Sequence, residues 1–219
     1  MKNMKKQTFF LLILCALSFL GHMLVYPSFP EMVPTHWGFD GEVNGYSTKS
    51  TTIFLALLPL ILTILFPIIP KIDPRGKNYA KHEKAYDIFR FVLILFLIAM
   101  VGLTDAAILG YPVAINRLVP MGVGILFLVI GNYMPQIRNN YTLGIKTPWT
   151  LENEWVWRKT HLMGGIVFCI MGILFILSGI FPFAWLAVVS VAAVFVGVIW
   201  MYLYSYLAYQ KWLKTGENS

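Results

Sequence analysis

His22 and Asp105 are ionisable side chains set within long apolar runs, each within about a turn or so of the run's end. An imidazole and a carboxylate at one depth can share a proton as an ion pair, a hydrogen bond or a relay. Either group alone in hydrocarbon is expensive, so each needs a partner or a task. If the runs that carry them are neighbours, they are each other's natural partner. Arg117 is the competing partner for Asp105.

A second constellation lies in the polar stretch 27–50. His36, Asp40 and Glu42 are metal-ligand types, but their spacing matches no known site, and no metal or cofactor is expected. Glu31, Asp40 and Glu42 against Lys49 leave the stretch net acidic. Trp37 adds a large aromatic anchor. Together these suit a cationic, amphipathic ligand. Pro27, Pro30 and Pro34 hold the first half extended, and Gly38, Gly41 and Gly45 permit tight turns. The stretch therefore reads as a structured cap, with Val33, Trp37 and Tyr46 packed over helix ends. A lid that only seals the bundle is the alternative.

A third block is polar and Trp-rich and separates two apolar runs. It contains Asn132, Pro135, Asn140, Gly144, Lys146, Thr147, Pro148, Trp149, Thr150, Trp155 and Trp157. Pro135 ends a helix and Gly144 offers a turn. Thr147-Pro148 or Thr150 can start a new helix, with Glu152 and Glu154 at its positive end. The tryptophans are expected at the lipid–water boundary, with an interfacial anchor and a docking face for a soluble partner as the two readings. No paired acids, Ser–Lys pair or HExxH pattern occurs in the apolar runs, so no enzyme is expected.

The elements that position these groups are transmembrane helices. The chain has 219 residues, is 58% hydrophobic and 12% charged, with a mean hydropathy of +0.70. A helix needs about 20 apolar residues to cross a hydrocarbon core of roughly 30 Å. Six stretches qualify: about 8–26, 51–70, 88–110, 118–135, 161–181 and 183–204. The fold class is thus an all-α integral membrane protein, with six transmembrane helices and a structured extracytoplasmic loop between the first two. The first run follows Lys2, Lys5 and Lys6 like a signal peptide, but it lacks a cleavage pattern and reads as a retained helix.

Of the 17 Lys and Arg, all but Lys49 and Arg117 fall in the N-terminal tail, loops 71–90 and 136–160, and the C-terminus. The positive-inside rule then puts both termini in the cytoplasm. The net charge of +7 serves orientation and anionic lipid, and no nucleic-acid partner is expected. Cys15 and Cys169 lie in spans and read as packing residues. The expected organisation is an N-terminal two-helix unit (1–70) carrying loop 27–50, a basic linker (71–87) and a C-terminal four-helix unit (88–219). The very short turn at Phe181-Pro182 should make the last two spans an antiparallel hairpin.

The run Gly131-Asn132-x-Met134, Asn140, then Leu143-Gly144-Ile145-Lys146-Thr147-Pro148-Trp149-Thr150-Leu151, with Glu154 and Trp157, resembles the signature of the SdpI family of bacterial membrane immunity proteins. Lys146 stands where that family often has Arg. Pro30-x-x-Val33-Pro34-x-His36-Trp37-x-x-x-Gly41, through Tyr46 and Lys49, resembles the small domain of unknown function that commonly precedes it. The resemblance implies a multi-pass protein of a Gram-positive plasma membrane that protects against a secreted membrane-active peptide toxin. It also implies capture of a transcriptional repressor at the membrane. Glu31, His36, Trp37, Asp40, Glu42 and Asp105 are then the toxin-binding candidates. Asn132, Asn140, Gly144, Lys146, Thr147, Pro148, Trp149 and Trp157 form the cytoplasmic-face signature. A small transporter or proton-coupled permease using His22 and Asp105 is the alternative function.

Overall fold

The computed structural model describes residues 2–181 and 183–216, with side chains from Lys5 onward. Pro182, in the expected final turn, lies outside the described residues. The elements run α1 (Lys2–Val25), β1 (Met32–Trp37), β2 (Val43–Thr48), α2 (Ser50–Leu65), α3 (Ile69–Ile72), α4 (Glu83–Ile108), α5 (Ile115–Tyr133), α6 (Pro148–Glu152), α7 (Glu154–Ile180) and α8 (Ala184–Thr215). Short 3₁₀ turns at Tyr26–Ser28, Gly76–His82 and Met134–Gln136 join them.

Five helices are long and apolar enough to cross a membrane, among the described residues. They are the runs built on α1, α4, α5, α7 and α8. The expected second span, 51–70, is not one continuous helix. α2 has 16 residues, about 24 Å of rise, against the roughly 30 Å of a hydrocarbon core. The chain turns at residues 66–68 before α3 resumes. Pro67 and Pro70 interrupt a run that hydropathy alone counts as continuous, because each removes a backbone donor.

The surface is apolar and the interior is where polar groups are found. Phe9, Leu17, Leu24, Phe195, Val196 and Ile199 are exposed, whereas His22, Thr63, Arg90, His161 and Ser205 are buried. An exposed apolar girdle of this extent requires lipid around it. Inside, Thr63 and Ser205 find partners on their own backbone. Thr63 donates to Pro59 O at 2.8 Å and Ser205 to Tyr202 O at 2.7 Å.

Two helix groups share α4 as a common wall. α1, α2 and α4 pack together around Leu11, Cys15, Phe66, Tyr86 and Ile94. α5, α7 and α8 form the other group, with α5 and α7 in closest register. Glycines seven residues apart set that register. A Cβ on Gly124 would lie 2.6 Å from Gly172 O, and one on Gly131 would lie 2.7 Å from Gly165 O. Seven residues is about two turns, so these glycines line one face. They let backbones touch where lipid offers no hydrophobic drive for association.

The stretch expected as a structured cap contains an antiparallel hairpin. β1 pairs β2 in the register Met32↔Thr48, Val33↔Ser47 and Pro34↔Tyr46, with irregularities on either side of His36. Gly41, at φ 88°, closes the turn with its N–H on Gly38 O at 3.0 Å. Val33 is fully buried as expected, but Tyr46 is 61% exposed. The reason is strand alternation: in β2, residues 44, 46 and 48 face outward. Tyr46 therefore does not pack on the helix ends. The Asn116 side chain, at the start of α5, donates to Asp40 O at 3.3 Å and ties the hairpin tip to the bundle.

Candidate functional site

The hairpin end of the bundle carries His22, Asp105 and Thr52 in one bonded group. His22 Nδ1 lies 2.9 and 3.0 Å from the two carboxylate oxygens of Asp105. Its Nε2 lies 3.2 Å from Thr52 Oγ1. The Thr52 hydroxyl donates to Lys49 O at 2.7 Å. With that proton committed, Nε2 donates to Thr52, and Nδ1 and the Asp105 carboxyl share one proton between them. The expected His22–Asp105 contact is present, and His22 rather than Arg117 is the partner. Phe29 closes over the imidazole edge-on at 5.6 Å.

Of the outer candidates, Glu31, His36, Trp37, Asp40 and Glu42 share the hairpin. Asp105 does not join that surface: it sits among helices with its side chain 14% exposed. Glu31 pairs with Lys49 at 2.8 Å. The hydrogen bond that Lys49 donates to Glu31 holds the Lys49 pKa above its ordinary value. Asp40 accepts the Glu42 N–H at 3.0 Å and so shapes the turn. His36 bonds Asn44 across the hairpin. The Glu42 side chain is exposed, as are Met32, Phe39 and Tyr46. Exposed acids and exposed large apolar side chains thus occur together on the hairpin. No group of His, Cys, Asp and Glu suited to a metal occurs among the described residues.

The opposite end carries the Trp-rich block, organised by buried side chains rather than by surface ones. Asn140 is fully buried. Its Oδ1 accepts from the N–H groups of Thr142 and Leu143 at 2.9 and 2.7 Å, turning the chain. Thr147 caps α6 as expected: Thr147 and Thr150 exchange side-chain-to-backbone bonds at 3.2 and 2.9 Å. Asn153 caps α7 through Val156 N at 3.0 Å. Pro148 opens α6, where its missing N–H costs nothing. Trp149 packs edge-on against Tyr202 of α8, ring centroids 5.1 Å apart. Lys146 is exposed, and its ammonium donates to Tyr141 O and Thr142 O at 3.1 and 3.0 Å.

One expectation for this block needs correction. Trp157 is fully buried rather than at the lipid–water boundary, because its indole N–H reaches inward to Ile137 O at 2.8 Å. Asn132 sits exposed on the last turn of α5, where the sequence placed it.

Four residues central to this end were not singled out from sequence. His161 takes the Ile145 N–H on Nε2 at 3.1 Å, and its Nδ1 meets Trp157 O at 2.8 Å. Asp73, Arg75 and Tyr79 reach in from the linker. Asp73 Oδ2 accepts from Tyr141 N, Thr142 Oγ1 and Tyr79 OH at 3.0, 2.9 and 3.1 Å. Burial works to raise the Asp73 pKa. Its hydrogen bonds from Arg75, Thr142, Tyr141 and Tyr79 outweigh that and hold the carboxyl below its ordinary value. Arg75 bonds Asn139 and Leu151 O, the latter at 3.1 Å, and lies over the Tyr141 ring at 4.7 Å. A His four residues after Trp157, one helical turn on, was the available signal for His161.

Residues 13–63, which run from α1 into α2, match the Domain of unknown function (DUF1648). Residues 136–205, which hold the Asn140–Trp157 network and most of α8, match the SdpI/YfhL protein family. The C-terminal part of the chain is thus similar to the SdpI family. The "Immunity protein SdpI" of Bacillus subtilis (strain 168) is 27% identical over 208 residues, which span 95% of this chain and 98% of that protein. No solved structure matches. With five apolar helices of spanning length, this chain is a multi-pass membrane protein.

Proposed function

We propose that this chain is a plasma-membrane immunity protein that intercepts a secreted, membrane-active peptide at its hairpin. The observation that carries the reading is similarity over nearly the whole chain to a protein named for immunity. The hairpin supports it: Glu31, Asp40 and Glu42 attract a cationic peptide, and exposed Phe39 and Tyr46, with half-buried Trp37, receive its apolar side. Only Lys49 and Arg117 among the Lys and Arg lie at that end. That favours an extracytoplasmic hairpin with both termini in the cytoplasm. In this topology α2, its turn and α3 make a sixth crossing, between an N-terminal unit (1–70) and a C-terminal unit (88–219) joined by linker 71–87. The Asn140–Trp157 loop then faces the cytoplasm, where exposed Lys146 and Pro148 offer a surface to a regulator such as a transcriptional repressor.

The test is survival of cells challenged with a membrane-active peptide toxin, normalised to the amount of protein in the membrane. Trp37→Ala with Glu42→Lys is expected to reduce protection about tenfold or more, since buried aromatic anchors carry much of a binding energy. The charge part of the loss should shrink at high salt. Undiminished protection at normal abundance would remove the hairpin from the mechanism. Solute flux into liposomes carrying the protein would instead favour the alternative, a small transporter or proton-coupled permease.

A further inference from the structure

At the end opposite the hairpin, a half-open cavity of about 400 Å³ lies between α4, α5, α7 and α8 and the loop 143–147. That is within the roughly 300–1,000 Å³ range of ligand sites. Its walls are apolar side chains such as Phe89, Ile130, Met134, Phe168 and Met201, with His82 and Lys146 among the few polar groups. The polar groups of this wall that already have partners are accounted for. Tyr86 OH donates to Phe66 O at 2.6 Å, and Thr147 is committed to its cap.

His82 is different. It is 3% exposed, and its Nδ1 accepts the Arg138 N–H at 3.2 Å. A ring nitrogen that accepts carries no proton, so in the neutral ring the proton sits on Nε2. Nε2 is buried and has no hydrogen-bond partner. A buried donor left unmet is costly, and a wall residue with one is suited to an acceptor brought by a ligand. Lys146 Nζ donates to two backbone carbonyls, which leaves the third of its protons for a ligand at the rim.

The cavity sits at headgroup depth. Tyr202 lies in its wall and is half of the Trp149–Tyr202 pair, with Tyr206 also against Trp149 at 5.1 Å. Interfacial Trp and Tyr mark that level of a bilayer. The required occupant has an apolar chain, an acceptor oxygen near its polar end and a negative charge. We infer that this cavity is a binding site for one anionic phospholipid: an acyl chain fills it, an ester or phosphate oxygen accepts from His82 Nε2, and the headgroup lies beside Lys146. The site is independent of the hairpin and of any toxin.

Native mass spectrometry on the full chain, released from nanodiscs of phosphatidylcholine mixed with phosphatidylglycerol, tests this. The expected result is one retained phosphatidylglycerol. Thermal stability should also be higher in phosphatidylglycerol nanodiscs than in pure phosphatidylcholine. Lys146→Gln keeps the stem and should lower the preference for the anionic lipid about fivefold, the scale of one basic contact at a membrane surface. His82→Asn keeps an acceptor for Arg138 N–H, loses the Nε2 donor and should weaken retention of either lipid. Ile130→Trp fills the cavity and should abolish retention while the protein stays folded in detergent. Equal retention of the two lipids by the unaltered chain would overturn the assignment. So would retention unchanged by Ile130→Trp, or displacement of the phospholipid by free fatty acid at equal concentration.

Discussion

The Trp157 indole lies flat on the His161 imidazole, ring centroids 4.0 Å apart and planes 18° from parallel. The stacked pair grips the Trp-rich loop at two points. Trp157 holds Ile137 O and His161 holds Ile145 N, so one turn of α7 fixes both arms. Gly144 sits between them at φ +105°, where a Cβ would lie 2.2 Å from His161 Nε2.

Gly144→Ala is accordingly expected to destabilise the protein by about 1–3 kcal/mol from backbone strain alone, with a further loss from collision with His161. In a His161→Ala background the collision disappears but the strained φ remains. The cost of Gly144→Ala should fall there without vanishing. Melting temperatures of the four proteins in detergent check this as a double-mutant cycle. Equal costs in both backgrounds would show that the collision contributes nothing.

Asp73 makes the linker acid-sensitive. A carboxyl whose pKa is lower in the folded protein than in the unfolded chain stabilises the fold above the ordinary value of about 3.9. That stabilisation is lost as pH falls through the lower folded value. Asp73→Asn should therefore lower the melting temperature at pH 7, and the gap to the unaltered protein should close as the pH drops below about 4. A gap that is constant from pH 7 to pH 3 would mean that the ionised carboxylate is not what matters.

The pair His22–Asp105 should behave as a structural lock within the membrane. Asp105→Asn removes the carboxyl that shares a proton with the imidazole, and breaking a buried pair from one side typically costs about 3–5 kcal/mol. The expected outcome is a lower melting temperature, with toxin protection that falls only in proportion to protein abundance. Normal abundance without protection would move Asp105 into the functional machinery.

Topology is checked by thiol labelling in a chain whose Cys15 and Cys169 have been replaced by Ala. A single Cys at Ser47 should react with an impermeant reagent in intact cells, and one at Ser219 should not. Ser219 lies outside the described residues, so it reports orientation alone. Labelling at Ser219 and not Ser47 would reverse the proposed orientation.

Much of this was legible because lipid is an unforgiving solvent. The cost of an isolated charge pointed from His22 to Asp105 before any geometry was known, and the Thr147-Pro148 pair announced a helix start by its own local chemistry. What escaped was non-local. The hairpin depends on Pro34 finding Tyr46 across a bulged ladder, and a Pro- and Gly-rich strand has weak intrinsic preference for pairing. Asp73 looked like an ordinary turn residue, since its partners Tyr141 and Thr142 are more than sixty positions away. Trp157 was placed at the boundary by its residue type. Its burial depends on one carbonyl, Ile137 O, that only the folded loop presents.

The strap from Arg75 also bears on how the chain is made. Its partners Asn139 and Leu151 lie 64 and 76 residues downstream. At about 5–20 residues per second, they leave the ribosome roughly 3–15 seconds later. For that interval Arg75 is made but lacks these partners. The N-terminal part therefore completes its fold only after synthesis has passed α6. A stalled or truncated chain ending before that point would expose an unsatisfied basic and acidic tether to membrane proteases. Quality control would then recognise incomplete copies by their linker, not by their spans.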